Sequence, residues 1–110
     1  MIASTEMSTR LEKLQELLAQ DPGNKLLGYG LAQELGGLGR HDEAAAQYER
    51  LIAAQPDYCA AYFHGARTLE QLQRLDDARA MYRRGIDVAA RVGDDHARSE
   101  MLAALEAIVK

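Results

Sequence analysis

The chain has 110 residues, a formal net charge of −4 and a pI near 5.3. That is the length of one domain, and its acidic balance argues against a dedicated nucleic-acid binder. A single cysteine, Cys59, leaves no internal disulfide, the opening "MIASTEMSTR" lacks the apolar run of a secretion signal, and no stretch approaches the ~18 apolar residues of a membrane span, so a reduced, cytoplasmic protein is expected. Alanine dominates the apolar fraction, aromatics are 5%, and prolines are limited to Pro22 and Pro56. Small apolar residues with few β-branched ones suit closely packed helices, and the expected class is all-α.

In chain order, residues 1–8 read as a flexible N-terminal tail. Thr9 and Glu12 form a capping box ahead of "LEKLQELLAQDP", predicting an N-terminal helix over 9–21. Asn24 follows "DPG" and can cap a helix over about 25–37, which Gly36, Gly37 and Gly39 end. A further helix spans about 41–54 and stops before Pro56. Asp57 can cap the next, at about 58–72. Another covers about 75–91 and ends near Gly93, and Asp94 or Asp95 can cap a last helix through 109.

Setting 25–58 on 59–92 reveals a repeat of thirty-four residues. Identities fall at Ala32/Ala66, Leu35/Leu69, Leu38/Leu72, Arg40/Arg74, Asp42/Asp76, Ala44/Ala78, Ala46/Ala80, Tyr48/Tyr82, Arg50/Arg84 and Ile52/Ile86. They recur at helical spacing in two blocks, 32-35-38 and 44-48-52, one face each of two amphipathic helices. A helical pair of this length leaves an apolar side that only a neighbouring pair can bury. Small Ala44 and Ala78 are expected where the helices of a pair cross closely, with Tyr48 and Tyr82 filling the gap between pairs.

The Leu31–Ala32 and Gly65–Ala66 pairs, Leu35, Leu69, Ala44, Ala78, Tyr48, Tyr82 and Pro56 resemble the tetratricopeptide repeat family over roughly 9–109. The resemblance implies a right-handed superhelical stack of antiparallel helix pairs, about six helices in all: an N-terminal helix (9–21), repeat one (25–58), repeat two (59–92) and a C-terminal capping helix (94–109). Gly28 departs from the pattern where the family favours a large aromatic, and Tyr62 restores it in the second repeat. Ala90 replaces the closing proline, so the helix before it can run further than its counterpart.

No catalytic constellation is present. His41, His64 and His96 lie in no metal-binding spacing, the lone cysteine makes no zinc cluster, and no glycine-rich loop carries a GK[ST], so neither an enzyme nor a cofactor is expected. Arg74, Arg79, Arg83, Arg84 and Arg91 read chiefly as a solvated face balanced by Asp76, Asp77 and Asp87, against a phosphate or acidic-partner patch. By the resemblance, the first helix of each pair lines a concave groove. Tyr29, Gln33, Phe63, His64, Arg67 and Arg98 are the expected contacts there for a protein or peptide partner. Tyr29 and Phe63 can alternatively be packing residues. In family members that hold a C-terminal carboxylate, lysines and asparagines stand where this chain has Tyr29, Gln33, His64 and Asp94. Only Arg98 matches, so chaperone tails are not the expected ligand. The rival reading is a homodimer through the last helix, along Met101, Leu105, Ile108 and Val109.

Overall fold

Turn chemistry divides the chain into six helices among the described residues. The computed structural model describes residues 2–109, with side chains from 9 to 108. The helices are α1 (Ile2–Gln20), α2 (Lys25–Gly37), α3 (His41–Ala54), α4 (Cys59–Gln71), α5 (Leu75–Val92) and α6 (Asp95–Val109). α1 begins at Ile2, ahead of the Thr9 start and across residues expected as a tail. No glycine or proline in "IASTEMS" stops a helix from propagating backward.

Asn24 caps α2, its Oδ1 accepting from Leu27 N at 3.1 Å. α2 ends with Gly39 at φ 78°, and α4 ends at the equivalent place with Gln73 at φ 62°. In both turns the following arginine donates its backbone N–H to a leucine carbonyl, Arg40 to Leu35 and Arg74 to Leu69, each at 2.9 Å. Asp94 Oδ1 accepts from Ala97 N at 3.0 Å and caps α6. The expected Asp57 cap is corrected. The cap position of α4 falls on Tyr58, whose side chain makes no capping hydrogen bond, while Asp57 pairs with Arg91 at 2.8 Å.

Each helix packs against the next in sequence, giving a stack 43 × 29 × 19 Å in extent. Ala44 and Ala78 are 0% exposed, as their small size at the crossings requires. Tyr48 and Tyr82 are buried in the main core with Tyr62, Met81, Ala89 and Met101. A smaller cluster of Leu11, Leu31, Leu35 and Ala44 seats α1, with Leu14 and Leu18 against it. The first helices of successive pairs, α2, α4 and α6, line one side. No helix among the described residues is long and apolar enough to cross a membrane.

Candidate functional site

The side lined by α2, α4 and α6 holds two hollows in succession. The first, about 350 Å³, is lined from α2 by Ala32, Gln33, Gly36 and Gly37, from α3 by His41 and Tyr48, and from α4 by His64, Arg67, Thr68 and Gln71. The second, about 480 Å³, lies between Phe63, Arg67 and Glu70 of α4, Tyr82 of α5, and Glu100, Ala103, Ala104 and Ala107 of α6. Arg67 lines both and stands on the ridge between them.

Aromatic rings build this ridge. Tyr29 meets His64 edge-on at 5.5 Å, Phe63 meets His64 at 5.2 Å, and Tyr48 stacks with His64 at 6.5 Å. Tyr29 also contacts Tyr48 and Tyr58. The residues arrive together because each pair contributes the same helix face, so Tyr29 and Phe63 hold equivalent positions one repeat apart. Both are half-buried and packed against the core, which joins the packing reading to the surface one. The Arg67 guanidinium lies 5.7 Å over the Phe63 ring and forms no ion pair among the described residues.

Polar groups around the ridge are tuned by burial. Gln33 donates to the Tyr48 hydroxyl at 3.0 Å, while burial pushes that phenol up to about 12. Tyr82 donates to a Glu70 carboxylate oxygen, and burial and then that bond raise its phenol further. Burial holds His64 below its ordinary 6.5, the nearby Arg67 charge adds to this, and Glu100 opposes it. Burial and the Arg67 charge thus both favour the neutral imidazole at His64. His41 Nδ1, on the wall of the first hollow, is buried and has no hydrogen-bond partner among the described residues.

Five expected contacts, Tyr29, Gln33, Phe63, His64 and Arg67, thus meet on one surface. Arg98 does not join them. α3 has 14 residues and α5 has 18, while the following loop shortens, so α6 begins 36 residues after α4 instead of 34. Two residues turn a helix by about 200°. Glu100 and Ala103 occupy the groove side, and Arg98 is exposed elsewhere on α6. His41, Tyr48, Tyr58 and Glu100 were missed: the first two lie on α3 and reach the groove from beneath. The longer α5 foreshadowed by Ala90 was the available signal for Glu100.

Comparison with known proteins agrees with this architecture. The family profile described as "Tetratricopeptide repeat" matches residues 29–58 and 60–91. A TPR repeat-containing protein of Pseudomonas aeruginosa is 30% identical over 83% of this chain and 87% of its own length. The chain belongs to the tetratricopeptide repeat family. A tetratricopeptide repeat domain protein of Salinibacter ruber, solved in solution, is 36% identical, covers 77% of this chain and 86% of its own, and superimposes with a TM-score of 0.73. PcrH, solved in complex with the chaperone binding region of PopD, shares the fold at 21% identity and a TM-score of 0.84, over 98% of this chain and 82% of its own.

On this tetratricopeptide repeat scaffold the arginines of α5 and of its cap position are largely spent on acids. Arg74 pairs with Asp77 at 2.8 Å, Arg79 with Asp76 at 2.7 Å, Arg84 with Glu49 at 3.1 Å and Arg91 with Asp57 at 2.8 Å. The self-association stripe needs correction. Met101 is 0% exposed, lodged against Gly85 of α5, and cannot reach a second chain. Leu105 and Ile108 pack onto the core, and the Val109 side chain lies outside the described residues. Most of the apolar breadth of α6 is therefore used within the chain.

Proposed function

We propose that this chain is a binding scaffold that holds a peptide segment of a partner protein along the two hollows, and that it acts by recognition instead of catalysis. The observation that carries the reading is Arg67, a cation without an ion-pair partner among the described residues, poised on a ring-built ridge between an imidazole- and amide-lined hollow and an alanine-floored one edged by Glu70 and Glu100. An apolar anchor of the peptide would rest beside Phe63 on the alanines. An acidic neighbour would reach Arg67, with Tyr29, Gln33 and His64 lining the first hollow. The complex of PcrH with a segment of PopD supports this reading by analogy of fold. A buried, unpaired Cys59 suits a reducing compartment such as the cytoplasm.

Peptide-display selection on the full chain tests this, with the Phe63→Ala/Arg67→Glu variant as counter-target. Circular dichroism establishes that the variant is folded. Selected peptides should share an apolar–acidic pattern and lose at least tenfold in affinity on the variant. Peptides that bind both proteins equally would remove the groove from consideration.

A further inference from the structure

The two repeats fill the same internal space in opposite ways, and repeat one leaves part of it open. In repeat two, Tyr62 of α4 crosses toward Gly85 of α5, donates its hydroxyl to the Pro56 carbonyl at 2.7 Å, and carries the Arg84 guanidinium over its ring at 5.6 Å. Arg84 in turn pairs with Glu49 at 3.1 Å. Thirty-four residues earlier the same positions hold Gly28, Leu51, Pro22, Arg50 and Gln15. The ring is replaced by a glycine, and the acid by a glutamine. Leu51 reaches back toward Gly28 but does not fill what the tyrosine occupies. A hollow of about 200 Å³ remains, walled by Leu18, Pro22, Gly28, Leu51 and Ala54, with Lys25 and Arg50 at its rim.

The polar wall groups are already satisfied. Gln47 donates to Gly28 O at 3.4 Å, and Gln55 donates to Gly23 O at 2.9 Å. Neither Lys25 nor Arg50 has an acidic partner among the described residues; Lys25 lies 5.0 Å over the Tyr58 ring and Arg50 donates to Gln47 at 3.2 Å. What remains is an apolar socket beside two uncompensated cations. We infer that this socket is a second binding site, separate from the groove, which takes one tyrosine side chain of a partner protein flanked by an acidic residue. The partner's ring would supply what Tyr62 supplies in repeat two, its hydroxyl meeting the Pro22 carbonyl. Its carboxylate would take the place of Glu49 and compensate Arg50.

The test titrates the isotopically labelled full chain with three capped tripeptides, Glu-Tyr-Glu, Lys-Tyr-Lys and Glu-Ala-Glu, and follows backbone amides by NMR. Glu-Tyr-Glu should give saturable shifts at Gly28, Arg50 and Leu51, with a roughly millimolar Kd as suits a single side chain. The other two should bind at least fivefold more weakly. The Gly28→Tyr/Leu51→Gly variant installs the arrangement of repeat two and should lose the site. The Lys25→Glu/Arg50→Glu variant, whose changes are at the exposed rim, should come to prefer Lys-Tyr-Lys. Equal response to all three peptides, no saturation, an unreversed preference, or shifts confined to Phe63, His64 and Arg67 would each overturn the inference. The last would leave the groove reading standing.

Discussion

Replacing Gly85 by alanine sets two known quantities against each other. Alanine in a helix interior is worth about 1 kcal/mol more than glycine, and Gly85 lies well inside α5. A Cβ there, however, would lie 2.7 Å from Tyr62 Cβ and would meet the Met101 sulfur. Met101 could in principle swing aside. Tyr62 Cβ is fixed to the backbone of α4, so ordinary contact at 3.4 Å needs about 0.7 Å of separation between α4 and α5. Both helices are seated in a close-packed core, and overpacking of this kind costs about 1–3 kcal/mol before relaxation. With Met101 displaced as well, the upper part of that range applies, and the net loss is about 1–2 kcal/mol. Thermal unfolding by circular dichroism should show Gly85→Ala melting roughly 5–10 °C below wild type. Gly36→Ala, where a Cβ meets nothing within 4 Å, should melt a few degrees above it. The reasoning fails if Gly85→Ala melts at or above wild type.

Three further outcomes can be checked on the same chain. Ala78→Leu, at a position 0% exposed, should lose about 1–3 kcal/mol in urea denaturation, while Ala80→Leu on the exposed face should change little. Gln73 holds φ 62°, so Gln73→Gly should stabilise by about 1 kcal/mol, whereas glycine at most other helix ends would not. Burial, then Arg67, lowers the folded-state titration of His64 below 6.5, so the unfolded state takes up the proton more readily. The stability this contributes is complete above 6.5 and is lost as the pH falls through the lower folded value. Urea midpoints at pH 7 and pH 5 should therefore converge in His64→Gln relative to wild type, and an unchanged pH slope would contradict the assignment.

Helix identity was legible because the signals were local and repeated. Asn24, the Gly39 turn, the stop before Pro56 and the 44-48-52 periodicity each act within a few residues. The groove was legible as far as the repeat kept step. Tyr29 and Phe63, one period apart, do come to one surface, and His64 and Arg67 follow on the same helix. Arg98 was misplaced because a period was carried past the end of α5, where four extra helical residues and a shorter turn advance the register. Met101 was read as surface because periodicity marks an apolar stripe without saying that a glycine notch opposite will absorb its largest member. The Asp57 cap failed by one residue, since the position thirty-four after Asn24 is Tyr58, and the Asp57 carboxylate instead meets Arg91.

The exchange of bulk between Gly28/Leu51 and Tyr62/Gly85 bears on how such arrays can be recombined. Each seam contains one large residue and one glycine, but on opposite helices. A chimera carrying α4 in place of α2 would set a tyrosine against Leu51 and force the pair apart. The converse chimera would leave glycine facing glycine and open a gap along the seam. Neither helix is a transferable part by itself. The smallest piece that keeps this fit intact is the matched pair, and shuffling at any finer grain breaks the complementarity that makes the two repeats look interchangeable.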